Sequence, residues 1–164
     1  MVADYESVII DNGTTAYAVA HELASRPITA LALSLHAAAA VAARPGAQVI
    51  VPGGTVEPDA LALTGSQCVE TVRSMRADVL ILGTCATTSD GDLTSSSYED
   101  SLIKRASIAA SVRRILVTTA DKRERAANFR FGSACDITHL VTTADADPEL
   151  IAIYRGEGAQ VVLV

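Results

Sequence analysis

Short, nearly unbroken apolar runs alternate along the chain with stretches in which apolar residues recur every three or four positions. The runs 8–10, 29–33, 48–51, 79–82, 115–118, 140–142 and 161–164 predict strands, apolar on both sides as in a parallel sheet covered on both faces. Helical rhythm predicts helices over 16–25, 35–43, 66–76, 99–112 and 148–155. The last has a clear start, with Asp147 as N-cap, Pro148 in the first turn and Glu149 behind it. Gly156 and Gly158 then close it before the final strand. Such alternation predicts a layered α/β domain, a mostly parallel sheet with helices on both faces and right-handed crossovers. No repeat, heptad or linker divides the chain, so residues 1–164 read as one domain. The four consecutive alanines of "LHAAAAVAA" suit a helix lying close against a sheet.

Composition narrows the classes. Hydrophobic residues make up 49% and aromatics only 4%, so the core is built from Val, Leu, Ile and Ala. A length of 164 residues is ample for such a core. With a net charge of −6 and a pI of 4.9, the chain lacks the basic face that grips nucleic acid unaided. No apolar run approaches the ~18 residues of a membrane span, and "MVADYESV" is not a signal peptide. Cys68, Cys85 and Cys135 form neither a disulfide framework nor a CxxC pair, which fits a reducing cytoplasm, and each reads as a small buried hydrophobe. His21, His36 and His139 share no metal-ligand spacing, so neither metal nor cofactor is expected.

Chemistry is expected at the carboxyl ends of the strands, where open α/β sheets bind ligands. Four loops leave such ends: 11–15, 52–55, 83–97 and 119–122. The first, Asp11-Asn12-Gly13-Thr14-Thr15, stands where a strand meets a helix N-terminus, whose amides and dipole favour an anion. The alternative is a plain turn capped by Asp11 or Thr14. Gly53-Gly54 reads equally as a tight turn or as a close approach to ligand. The loop 83–97, "GTCATTSDGDLTSSS", is long and polar enough to be a binding or mobile element.

Taken in order, "IIDNGTT", "VPGGTV", Gly65, "LILGTC…GDLT", "LIKRASIAAS" and "ILVTTADK" resemble the C-terminal effector-binding domain of DeoR-type bacterial transcription regulators. The resemblance covers about residues 8–164. It implies the fold of ribose-phosphate isomerase, glucosamine-phosphate deaminase and coenzyme A transferases, and a phosphorylated sugar as effector. It further implies a homo-oligomer, dimer or tetramer, and DNA binding only through an N-terminal winged helix-turn-helix, which is expected to be absent from residues 1–164. The family's Asp-Ser-Gly-Thr-Thr loop stands as Asp11, Asn12, Gly13, Thr14 and Thr15, whose amides and hydroxyls would hold the phosphate. Its paired glycines match Gly53 and Gly54, and its two lysines match Lys104 and Lys122, point charges for a dianion. Where the family has Thr-Asn-Ser this chain has Ala32-Leu33-Ser34, and its Gly-Ile-Asp-like loop becomes Ala86-Thr87-Thr88 with Asp90 beyond. Phosphate-holding positions therefore survive better than those that would read the sugar.

Two residues keep open alternatives. Lys104 could instead be a surface residue in an i,i+4 pair with Asp100, and the mixed-sign run 122–125 a solvated turn. A small sugar-phosphate isomerase or deaminase is the rival function, with Asp11, Asp90, Asp92, Glu99 or Asp100 as general base. None of these acids sits in a recognisable isomerase motif, so the expectation is a sensor without a catalytic residue.

Overall fold

Val8 and Ile10 point to one side of the first strand and Ile9 to the other, and all three are fully buried. That double-sided burial recurs across the computed structural model, which describes residues 1–83, 86–88, 90–120 and 127–164. Among these residues seven strands form one parallel sheet: β1 (Ser7–Ile10), β2 (Thr29–Ala32), β3 (Gln48–Ile50), β6 (Ala77–Leu82), β9 (Ser111–Val117), β11 (His139–Thr142) and β12 (Gln160–Leu163). Their order is β12-β11-β9-β6-β1-β2-β3, every pairing parallel. Each expected strand is present, with ends moved by a few residues at most.

The helices α1 (Thr14–Glu22) and α2 (Leu35–Ala42) cover the face carrying Val8, Ile10, Val79, Ile81, Ile115 and Val117. They do so through Ala16, Ala20, Ala37, Ala40 and Val41, small side chains that let helix and sheet approach closely. On the other face, α3 (Ser66–Ser74), α4 (Tyr98–Ala110) and α5 (Pro148–Gly156) lie over Ile9, Leu31, Leu80, Leu82, Leu116 and Leu140. Each such aliphatic side chain contributes about 1.5–3 kcal/mol when taken fully out of water. Asp147 caps α5 as expected, its side chain accepting from the Glu149 amide at 2.8 Å. No helix among the described residues is long and apolar enough to cross a membrane.

Residues 83–97 depart from the expected loop. They hold β7 (Ala86–Thr87) and β8 (Asp92–Ser95), which pair antiparallel with each other and, through β8, with β10 (Phe129–Ser133). Gly91 turns the hairpin with φ +81°, a conformation that side chains resist. A second hairpin, β4 (Thr55–Val56) with β5 (Leu63–Thr64), follows β3. Cys68 is buried, and burial pushes its thiol up to about 11. Cys135 is exposed, contrary to expectation, because the turn Ala134–Asp136 buries Ala134 and turns its neighbour outward. Cys85 lies outside the described residues.

The amino ends of the central strands carry an acid-sensitive tie. The Arg113 guanidinium bonds the Glu6 carboxylate and lowers its pKa, and the Ala3 amide adds to this at 2.8 Å. Asp78 is lowered in the same way by the Ser7 amide and hydroxyl, at 2.9 and 2.7 Å. A carboxyl depressed by folding stabilises the fold above its ordinary pKa, and the gain disappears as pH falls through the folded value. Melting temperature should therefore drop on acidification below about 4.5, the ordinary value for Glu6. Glu6→Gln should flatten that slope in melts recorded at stepped pH; an unchanged slope would assign the acid sensitivity elsewhere.

Candidate functional site

Sheet order places the site. From β1 the chain winds outward through β2 to β3, then returns to β6 on the other side of β1 and winds outward the opposite way. Between β1 and β6 the connections diverge, and the carboxyl ends there leave a crevice that helices do not fill. The next residues are Asp11 and Gly83, and a cavity of about 330 Å³ opens above them. Asp11, Asn12, Gly13, Thr14 and Thr15 line it together with Gly83, Lys104, Val117, Thr118 and Ala60. The volume is within the usual range for small-molecule sites.

Gly13 is the N-cap of α1, extended at φ −72° and ψ 157°, and no side chain caps the helix. The first turn holds no acid either. Asp11 and Thr14 therefore do not act as caps, and the positive end of the helix faces the cavity with no side-chain cap and no acid in its first turn.

Asp11 is used differently. It is 1% exposed, and its Oδ2 accepts from the Gly83 amide at 2.8 Å and from Lys104 Nζ. Lys104 is 2% exposed, which overturns its reading as a surface residue. It comes from α4, and its Nζ also lies 3.6 Å from Asp100 Oδ1, 3.5 Å from the Gly83 carbonyl and 5.6 Å from the centre of the Phe131 ring. Asp100 in turn accepts from Asn12 Nδ2 at 2.9 Å and from the Ser95 hydroxyl at 2.7 Å. One buried lysine thus ties the β1 loop to α4, while Ser95 joins the small antiparallel sheet to the same cluster. With Asp11 and Asp100 ionised, the cluster's formal charge is one lysine against two carboxylates, or −1.

Other expected site residues lie elsewhere. Ser34 is buried as the N-cap of α2, accepting from the Ala37 amide at 3.1 Å. Gly53 and Gly54 serve the β4–β5 hairpin: a Cβ on Gly53 would fall 2.6 Å from the Gln67 side chain, and one on Gly54 2.1 Å from the Thr64 carbonyl oxygen. Asp90 is exposed in the β7–β8 turn. None of these four lines the cavity. Lys122 lies outside the described residues. Of the remaining acids, Asp92 pairs with Arg130 at 2.7 Å and Glu99 is exposed. Gly83 was expected as the start of the loop 83–97, whereas Val117 and Thr118 were not singled out by sequence, although each sits at a strand's carboxyl end, where the crevice rule alone could have found it. Ala60 carried no signal.

Comparison with known proteins gives the geometry its context. The DeoR C terminal sensor domain matches residues 1–144. The HTH-type transcriptional repressor GlcR of Bacillus subtilis is 25% identical over 142 residues, 87% of this chain and 55% of its own. The HTH-type transcriptional repressor CsqR of Escherichia coli is 28% identical over 168 aligned residues, 99% of this chain and 64% of its own. This chain thus spans between about half and two thirds of the length of these relatives. A solved structure from Mycobacterium paratuberculosis aligns over 96% of this chain and 75% of that one, at 14% identity and a TM-score of 0.41, too loose a likeness for functional argument.

Proposed function

This chain belongs to the DeoR C-terminal sensor domain family, and from that premise we propose that its cavity binds a phosphorylated sugar whose phosphate rests on the start of α1. The observation that carries this reading is the first turn of α1: it opens into the cavity with no side-chain cap and no acid of its own. Amides of residues 13–15 and the hydroxyls of Thr14 and Thr15 would receive the phosphate, assisted by the helix dipole. Lys104 has a different part in this proposal. Its charge is already met by Asp11 and Asp100, so it holds the β1 loop in place and is not the phosphate's counter-ion.

The role is sensing, not catalysis, as befits a domain whose relatives are repressors. Those relatives bear the name HTH-type, and we place DNA contact in an N-terminal helix-turn-helix domain of an intact regulator. Ligand would alter DNA binding by favouring one arrangement of a homo-oligomer, and only by as much as its affinity differs between arrangements.

A melting screen across inorganic phosphate, sugar phosphates and free sugars tests the reading. At ~100 times its Kd a ligand adds about 2.7 kcal/mol, a rise of roughly 5–11 °C for a domain of this size. Gly13→Val should abolish the rise. A Cβ at Gly13 would meet only the Gly83 Cα at 3.9 Å, so the variant should fold while its side chain crowds the phosphate seat. Turnover of a sugar phosphate, or a rise that survives Gly13→Val, would refute the proposal.

A further inference from the structure

The seven-stranded sheet ends in two edges, and the two are not alike. At one, β3 has three residues and Val51-Pro52 follows, so that edge is short and soon meets a residue without an amide hydrogen. At the other, β12 and the next residue present Gln160-Val161-Val162-Leu163-Val164, in which nothing is charged and nothing is proline. Val162, Leu163 and Val164 are 39%, 45% and 72% exposed. Single chains normally blunt such edges with charge, proline or a covering segment, because free amides and carbonyls there invite another strand.

The ladder fixes which groups are free. The amides of Gln160 and Val164 bond the Thr138 and Thr142 carbonyls at 3.0 and 2.9 Å, and the Val164 carbonyl accepts from the Ala144 amide at 3.0 Å. Residues 160, 162 and 164 thus turn their backbone groups toward β11, and the alternation of a parallel strand turns those of Val161 and Leu163 outward. Among the described residues no strand lies beyond β12 to receive them.

These outward groups are symmetric about Val162. Against a second β12 laid antiparallel, with a two-fold axis at Val162, Val161 of each copy faces Leu163 of the other. Each such pair exchanges both of its N–H···O=C bonds, and Val162 meets its own copy at the non-hydrogen-bonded position, where side chains come closest. Sliding one strand by two residues leaves only one such pair within the run 160–164. A two-fold interface uses one patch twice, and this strand is its own complement. Charge points the same way. Two chains of net charge −6 repel each other, and β12 lets them meet along a strand that carries none of that charge and nothing to select a foreign partner.

We infer that β12 is the interface between two copies of this chain, which pair antiparallel about Val162 and join their sheets into one. The inference rests on the homo-oligomer proposed above, whose surface it names, and is independent of the phosphate seat.

Equilibrium sedimentation of the whole chain tests it by charge exchange. The wild type should sediment at twice the mass of one chain or at a higher even multiple. Val162→Lys and Val162→Glu each set like charges face to face on the axis, so either variant alone should halve that mass. Both should keep the wild-type far-UV spectrum, because the native side chain is already part exposed. Mixed in equal amounts, the two should regain the wild-type mass as opposite charges meet. A wild type that sediments as a single chain overturns the inference and the homo-oligomer together. An assembly that persists in both folded variants overturns the inference alone, since another surface then holds the copies. Variants that separate but do not recombine overturn the pairing about Val162. Amide hydrogen exchange in the wild type needs no variant to fold: exchange at Val161 and Leu163 should slow as concentration is raised through the association range. Unchanged rapid exchange at these two amides in the assembled protein overturns the inference.

Discussion

Replacing Lys104 with methionine is expected to destabilise the domain by about 3–5 kcal/mol, the usual result of stripping a buried ion pair of one partner. For a chain of this length that lowers the melting temperature by roughly 6–20 °C. The intact cluster need not be a large net gain. A pair of unit charges about 4 Å apart attracts by ~4 kcal/mol at an effective permittivity near 20, yet drying each ion costs several kcal/mol. The imbalance appears when Nζ is removed, because Asp11 and Asp100 are then left buried with no cation paired to them among the described residues. Arg73→Met supplies the contrast. Its ion pair with Glu70 has side chains 63% and 71% exposed, and such pairs contribute at most about 1 kcal/mol. Combining Lys104→Met with Asp11→Asn should recover part of the loss, giving a favourable coupling in a double-mutant cycle. Denaturant melts of these variants are the measurement. If Lys104→Met costs no more than Arg73→Met, the cluster is not the tie described here.

That prediction also marks where sequence reading stopped. The carboxyl-terminal parts of β1, β6, β9 and β11 were legible because burial on both faces writes a short apolar run there, and α5 because Asp147-Pro148 is a local start signal. The small antiparallel sheet was not legible. Its strands read "DLTS" and "FRFGS", polar enough to pass for loop, and β8 meets β10 across more than thirty residues. Lys104 was ambiguous for the same physical reason. Four residues after Asp100 on a helix it has the spacing of a solvated pair, and the partner that shows it to be buried, Asp11, is 93 positions away. The loop Asp11–Thr15 was legible as a strand-to-helix corner, but its division of labour was not. Which residue caps α1, and which acid turns to a lysine instead, follows from the approach of α4 and of the β6 end.

Gly54 offers the second large effect, and it separates two roles that glycine-rich loops share. At φ +124°, with the Thr64 carbonyl oxygen 2.1 Å from where a Cβ would stand, Gly54→Ala must both strain the backbone and open the hairpin. A disfavoured conformation costs about 1–3 kcal/mol and overpacking a similar amount, so a loss of about 3 kcal/mol is expected. Gly156→Ala is the matching control. Nothing lies within 4 Å of its Cβ position, and it ends a helix, where alanine is favoured by up to about 1 kcal/mol. Equilibrium denaturation should therefore place the two variants on opposite sides of the wild type, or nearly so. Ligand response completes the argument. Gly54 does not line the cavity, so a Gly54→Ala protein that still folds should keep its stabilisation by phosphate esters, whereas a folded Gly13→Val protein should lose it. The reverse pattern, a stable Gly54→Ala protein that no longer responds to any phosphate ester, would return the paired glycines to the binding site and remove them from the hairpin's architecture.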